Sequence, residues 1–291
     1  MGALKFIKTS MMTSIHDEGR KGLAYYAIPA SGPQDKETAQ LANLITGMPE
    51  NNPVFEFNLI PPKLKFLNAV SIALTGCDMD WKINGQKVKR NRLLHLKDGD
   101  ILGGKASNKG LCAYLAIRGQ LKVKKHYGSA SMYAPAGYGH RDGAYFQAGD
   151  ILEWTELENF AQEIHITQPN NSSPISINPG PEFHLLNEEQ IGILNNCDFK
   201  KSSETNRMGA RLSGLPVIVK ERLNESVPVL PGFLQLLPSG QLIITLQDGQ
   251  TTGGYPRIAF LKDEALNAFS RLGIGQAFRF IVQERRNNMQ D

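Results

Sequence analysis

Residues 234–246 constrain the fold more tightly than any other stretch of this 291-residue sequence. An apolar segment at 234–237 runs into Pro238-Ser239-Gly240, after which Leu242, Ile244 and Leu246 alternate with polar or smaller neighbours. Apolar residues at every second position place one face of each segment in a core, so the stretch reads as two strands joined by a tight turn. The same signature recurs at Val70, Ile72 and Leu74 before Thr75-Gly76, in the apolar run 111–117, and at Phe278, Phe280 and Val282. Glycine-rich turns separate these segments. Helical periodicity is scarce. Residues 35–45 set Leu41, Leu44 and Ile45 on one face and stop at Gly47, and Ser31-Gly32-Pro33-Gln34 precedes them at capping-box spacing. Residues 263–272 repeat the plan with Leu266, Phe269, Leu272 and the stop Gly273. Many short strands and two short helices predict a mainly β fold of β-barrels with a helix apiece.

The length holds two domains of ordinary size. Residues 168–181 turn to Asn, Ser and Pro with little apolar content, which predicts a connection there and domains at 1–172 and 173–291. A net charge of +4, from 32 basic and 28 acidic residues, nominates neither nucleic acid nor an anionic membrane. The basic runs 87–92 and 122–126 lack interleaved aromatics and read as solvated surface. Cys77, Cys112 and Cys197 are odd in number and far apart, which fits neither a disulfide framework nor Cys-x-x-Cys metal spacing. The start of the sequence is too short of apolar residues for a signal peptide, and no run approaches a membrane span. The expectation is a cytoplasmic protein that binds neither nucleic acid nor membrane.

Residues 248–256, Asp-Gly-Gln-Thr-Thr-Gly-Gly-Tyr-Pro, follow the hairpin and have almost no core-forming side chains. Thr251 and Thr252 offer hydroxyls, Asp248 a carboxylate and Tyr255 a phenol around Gly253-Gly254, where another backbone or a ligand can come close. The alternative is a bulge at the glycines with threonines satisfying turn backbone. A weak internal repeat sets residues 15–22 against 246–253: in each, an aspartate (Asp17, Asp248) stands five residues before a glycine, and a strand and an acid-started helix are expected to follow. Residues 99–105 have the spacing of a phosphate loop through Lys105, but Ala106 replaces the hydroxyl that would hold magnesium, and Ile101-Leu102 read as strand. The six histidines show no metal-ligand spacing, and no Gly-x-Ser-x-Gly elbow is present. Polar chemistry without a metal is left to Asp17 with Arg20, Ser31 with Asp35, Glu56 between two phenylalanines, Asp78, and Ser129. Asp17, Ser31, Asp35 and Ser129 serve equally well as caps or turn residues, and Glu56 faces either water or a polar pocket where burial would raise its pKa.

Taken in order, Asp17-Glu18-Gly19-Arg20-Lys21-Gly22, Ser31 to Asp35, Ala42-Asn43, Glu56, Leu74 to Asp78, Tyr114-Leu115-Ala116, Gly128-Ser129, Arg207-Met208-Gly209, Pro231-Gly232 through Gln235, and Gln250 to Pro256 resemble one family over essentially the whole chain. It is the carboxyltransferase-domain group that includes the C subunit of 5-oxoprolinase, the allophanate hydrolase subunit 2 proteins, the carboxyltransferase part of urea carboxylase and the Kip-type antagonist of a histidine-kinase inhibitor. The resemblance implies tandem cyclophilin-like β-barrels. It further implies ATP-dependent hydrolysis of 5-oxoproline to glutamate together with a Kip inhibitor-like B subunit and a separate A subunit, magnesium accompanying ATP in the complex. Biotin on a partner belongs to the alternative, a biotin-dependent carboxyltransferase; a regulator without turnover is the third reading. Catalytic roles fall on Asp17, Glu56 and Asp248. Substrate or phosphate contacts fall on Arg20, Ser31, Asp35, Asp78, Ser129, Gln235, Thr251, Thr252, Gly253, Gly254 and Tyr255. His16, Gln120, Ala130 and Met132 depart from the family pattern, which makes the first half the looser one.

Overall fold

A computed structural model describes residues 1–10, 12–107, 109–157, 174–219 and 223–283. The chain divides into two compact units, Met1–Lys21 with Ser31–Pro169, and Gly22–Ala30 with Asn170–Asp291. The boundary expected between 172 and 173 lies outside the described residues.

The first unit holds two antiparallel sheets. One orders its strands Gly119–Leu121, Ile151–Glu156, Gly2–Lys8, Lys63–Phe66, Ile101–Gly103, Lys82–Ile83 and Gln86–Lys87. The other runs Ser14–His16, Val54–Asn58, Cys112–Ile117, Val70–Gly76 and Leu93–Leu96. Alternation along these strands sends Phe6, Phe55, Phe57, Phe66, Leu115 and Trp154 into one shared core. The opposite face of the five-stranded sheet is buried as well. Helix α1 (Lys36–Thr46) lies on it, with Ala39 and Ala42 packed against Val54, Cys112, Tyr114 and Ala116. Its N-cap is Asp35, whose carboxylate accepts the Thr38 N–H at 3.1 Å, and Gly47 closes it in the left-handed conformation. The capping role expected near Ser31 is thereby corrected. Only a side chain next to the first turn reaches its free amides, whereas Ser31 lies four residues earlier at φ +58°.

The second unit is built on an eight-stranded sheet in the order Ala277–Phe278, Phe199–Lys201, Gly209–Ser213, Leu242–Thr245, Phe233–Leu236, Arg257–Phe260, Ile175–Pro179, Phe280–Val282. The hairpin read from the sequence is present: Leu234 faces Ile244 and Leu236 faces Leu242. Helix α3 (Asp263–Arg271) adds Leu266 and Phe269 to a core that includes Leu234, Ile244, Phe278 and Phe280. Helix α2 (Glu188–Asn196) was not expected from periodicity, since Leu194 alone among its residues is buried. Its signal is local instead, a capping box between Asn187 and Gln190.

The second strand of the supposed repeat is missing from the first half. Residues 22–30, which group with the second unit, contain a 3-10 turn at Ala24–Tyr26 and no strand. Among the described residues no helix is long and apolar enough to cross a membrane.

Candidate functional site

Ser14–His16 pairs with Val54–Asn58 and delivers Asp17 at its end. Asp17 is buried, and donors converge on its carboxylate from a single loop. The Ser131 hydroxyl donates to Oδ1 at 2.8 Å, the Ala130 N–H donates to Oδ2 at 2.7 Å, and the Ser129 hydroxyl also donates to Oδ1. Gly19 N–H adds a fourth bond at 3.1 Å. Ser131 in turn accepts the Asp17 N–H on its hydroxyl at 3.1 Å and the Arg20 Nη2–H on its carbonyl. Arg20 is 2% exposed, with its guanidinium 5.2 Å from the centre of the Tyr138 ring. Asp17 and residues 129–131 therefore form one clamp that fixes Arg20. Ser129 and Ser131 supply the hydroxyls, while Ala130 contributes its backbone N–H, for which the side chain is immaterial. The departure from the family pattern at Ala130 leaves this contact whole. Residues 31–32 pass beside the clamp, since a Cβ on Gly32 would lie 3.4 Å from the Asp17 carbonyl oxygen. The buried Ser31 hydroxyl makes no hydrogen bond among the described residues.

Glu56 is buried beneath the start of α1, the polar-pocket alternative of the two left open by its sequence. Its Oε2 accepts the Gln34 N–H at 2.8 Å and the Tyr114 hydroxyl at 3.0 Å, and that hydroxyl accepts the Asp35 N–H at 2.8 Å. Burial, reinforced by the Glu56 charge, pushes the Tyr114 phenol well above its ordinary range and keeps it a donor. The trio stitches the helix start to the sheet and has no solvent access. Asp78 stands apart in function: it is exposed and accepts the Asp80 N–H at 2.9 Å, closing a turn.

In the second unit, Thr252–Gly253 pairs with Val227–Pro228, and Thr251 accepts the Val229 N–H at 2.8 Å on its carbonyl. Asp248 is held by Arg207 through two bonds, Nε to Oδ2 at 2.7 Å and Nη2 to Oδ1 at 3.2 Å. Fork-to-carboxylate pairing fixes the loop's first residue. Gln235 reaches the loop from the central hairpin: a Cβ on Gly253 would fall 3.3 Å from its Nε2. That Nε2 is buried and makes no hydrogen bond among the described residues, so the hairpin strand presents a donor next to a loop position without a side chain. Thr252, Gly254 and Tyr255 are exposed around it, and Thr251 is buried. Sequence reasoning passed over the next anchor. Arg257 binds Glu182 with its guanidinium at 2.7 and 3.0 Å and with its backbone N–H at 2.8 Å, and donates to the Pro228 carbonyl at 2.7 Å. Desolvation works to raise the Glu182 pKa, and the Arg257 bonds outweigh it and hold the carboxyl below its ordinary value. The signal for this pair was an arginine just after the Gly-Gly-Tyr-Pro string.

Each half thus contributes a polar loop anchored at an aspartate, but the anchors differ: hydroxyls and amides for Asp17, a guanidinium for Asp248. Among the described residues no group of three or more His, Cys, Asp or Glu side chains is arranged to hold a metal ion. The pattern of the family described as "Carboxyltransferase domain, subdomain A and B" matches residues 26–282. The chain is 30% identical over 282 residues to the C subunit of Escherichia coli 5-oxoprolinase, covering 96% of this chain and 90% of that one. The Haemophilus influenzae protein of the same name is 29% identical, covering 92% and 87%. Urea amidolyase of Saccharomyces cerevisiae is 34% identical over 69% of this chain, which corresponds to 12% of that enzyme. Among solved structures, the protein TTHA0988 superposes with a TM-score of 0.86 at 25% identity over 97% of this chain, which spans 56% of that one. Kluyveromyces lactis urea amidolyase gives 0.87 at 25% identity, with this chain spanning 19% of it. Matched over most of its length in sequence and in fold, the chain belongs to the carboxyltransferase-domain family, subdomains A and B.

Proposed function

We propose that this chain is the C subunit of an ATP-dependent 5-oxoprolinase, acting in the cytoplasm with the B and A subunits of that enzyme. The observation that carries the reading is length. The chain aligns nearly end to end with two proteins named as 5-oxoprolinase C subunits, against a small fraction of urea amidolyase. The chemistry suits the site. A lactam resists water because its amide is resonance-stabilised; transfer of the ATP γ-phosphoryl group to the carbonyl oxygen removes that resonance. Water adds to the activated carbon, the ring C–N bond breaks to free the amine, and hydrolysis of the resulting acyl phosphate releases carboxylate and phosphate, so the protein must orient the substrate and stabilise developing charge. The buried Gln235 Nε2 beside Gly253 fits an oxygen of a lactam or carboxylate, with the exposed Thr252 and Tyr255 at the rim. Asp248 serves by holding that loop and Asp17 by holding Arg20. Glu56, sealed under α1, acts as a positioning residue.

ATP belongs to the complex in this reading. Residues 99–105 do not fit a backbone phosphate cradle, because Gly99 N–H is bonded to Phe66 O, Ile101 N–H to Asn84 Oδ1 and Lys105 N–H to Met79 O. A second reading, a carboxyltransferase served by biotin on a partner, is favoured by the urea amidolyase match; the ureido carbonyl of biotin suits the same Gln235 donor. The deciding experiment purifies this chain with its B and A partners and measures glutamate formed from 5-oxoproline. ATP-dependent turnover is expected; a verified three-part complex with none overturns the reading. Thr252→Ala, at an exposed position, is expected to lower turnover without loss of assembly.

A further inference from the structure

Leu234 and Leu236 enter the core of the second unit, so alternation places Gln235 on the opposite face of its strand. Gln235 is nevertheless 3% exposed, and the ladder to Arg257–Phe260 shifts register between Leu234 and Gln235, a break of the kind that re-aims a side chain. The loop sets Gly253 against it. A Cβ at Gly253 would lie 2.7 Å from Gln250 Nε2, 3.3 Å from Gln235 Nε2 and 3.3 Å from a Val229 methyl carbon. Two carboxamide nitrogens, one on an exposed residue and one buried without an acceptor, therefore flank the same side-chain-free face. Two NH2 groups beside one space call for an acceptor oxygen there. The charges that anchor the loop are neutralised at close range, Arg207 by Asp248 at 2.7 Å and Arg257 by Glu182 at 2.7 Å. A carboxylate bound at Gly253 would meet uncharged donors, without the guanidinium or ammonium partner that makes its hydrogen bonds strong. An uncharged carbonyl loses nothing by that and gains two ordinary hydrogen bonds.

We propose that Gln250 is the second donor and the specificity-determining residue of this site: with Gln235 it selects the neutral carbonyl oxygen of a small cyclic amide over a carboxylate, Val229 lying against the ring. The inference rests on the reading of Gln235 as a substrate donor. The lactam of 5-oxoproline and the ureido ring of biotin share that carbonyl, and the test separates them. Side-chain amide signals of Gln235 and Gln250 are followed by NMR in the isolated full-length chain during titration with pyrrolidinone, imidazolidinone and cyclopentanecarboxylate. No turnover is involved, so a failed titration leaves the glutamate assay standing, and a failed assay leaves the titration. Both carbonyl compounds are expected to shift both amide signals, with an affinity that added salt leaves unchanged. The carboxylate should bind about tenfold more weakly or not at all. Gln250→Ala should weaken pyrrolidinone by about three- to tenfold. Gln250→Glu, which sets an acceptor against the carbonyl, should weaken it by about tenfold or more, with the melting temperature unchanged because position 250 is exposed. Tighter binding of pyrrolidinone assigns the site to the lactam and tighter binding of imidazolidinone to the ureido ring; the carbonyl site stands in both cases. No shift with either carbonyl compound overturns the proposal, as does a carboxylate that binds as tightly as the lactam or an unaltered affinity in Gln250→Glu.

Discussion

Asp17 and Asp248 show how one side chain is put to different uses by its neighbours. The four donors at Asp17 leave its carboxylate no role except acceptor, and each oxygen receives a backbone N–H, so Asp17→Asn would turn an amide NH2 toward either the Ala130 N–H or the Gly19 N–H. A buried donor facing a donor costs about 1–3 kcal/mol; the denaturant midpoint should fall accordingly, and an unchanged midpoint would rule out the clamp. The glycines after Asp248 separate in the same way. A Cβ on Gly249 would meet two backbone carbonyls, those of Leu246 and Met208, at 2.9 Å, whereas on Gly253 its nearest neighbour is the far end of Gln250, at 2.7 Å. Gly249→Ala is therefore expected to destabilise the protein, and Gly253→Ala to keep stability while displacing the Gln250 and Gln235 amides and lowering activity. Thermal melts beside the glutamate assay distinguish the two. For Glu182 the sign is set by a folded pKa lowered from 4.5. Its stabilising contribution is complete above the unfolded value and disappears as pH falls through the lower folded one. Glu182→Gln should therefore narrow the difference in stability between pH 6 and acid conditions below 4.5; equal acid sensitivity in both proteins would show that the Arg257 pair is not responsible.

At the scale of elements, α1 and the sheet beneath it depend on three polar groups that strand alternation alone does not reveal. Tyr114→Phe would remove the acceptor of the Asp35 N–H and one donor to Glu56. Leaving those buried groups unpaired should cost about 1–3 kcal/mol and expose the start of α1 first, as faster amide exchange at residues 35–38. Unaltered exchange there would contradict the stitching role. Much of this architecture was legible beforehand. The Leu234-to-Leu246 hairpin, the stop at Gly47 and the strand through Ile101 each follow from a local rule with no competitor. Period-two alternation also placed Phe55 and Phe57 opposite Glu56. It did not reveal that a helix covers the second face, because that depends on contacts between residues far apart in sequence. Of Ser31 and Asp35, both offered by the sequence for the helix start, only Asp35 adjoins the first turn and caps it; the Ser31-to-Gln34 spacing imitates a capping box four residues too early. Helix α2 escaped because a helix burying a single leucine leaves little periodic trace. Of the candidate site, the polar string and Asp17 were visible as letters; Ser131, Arg207 and Glu182 acquire their roles only through pairing across the fold.

For the molecule as a whole, the path of the chain matters more than the order of the two halves. The chain leaves the first unit at Lys21 and returns to it at Ser31, and the intervening Gly22–Ala30 groups with the second. That excursion separates Arg20 from Ser31, yet each flank is anchored within the first unit: Arg20 through Ser131, and the following segment through the Gln34–Glu56 bond. The strands Gly2–Lys8 and Ser14–His16 also remain paired within sheets of that unit. Tyr25 and Tyr26, at 93% and 69% exposure in a short 3-10 turn, offer chymotrypsin an accessible site with little buried surface to resist local opening. A cut after either tyrosine is expected to yield two pieces on a denaturing gel and one species on a native gel, with the circular dichroism spectrum retained. Resistance at this turn would contradict the local exposure, and departure of the N-terminal piece would contradict the anchoring. If the nicked protein stays whole but loses turnover in the three-part complex, continuity between Arg20 and Ser31 is required for the reaction itself, beyond what the fold demands.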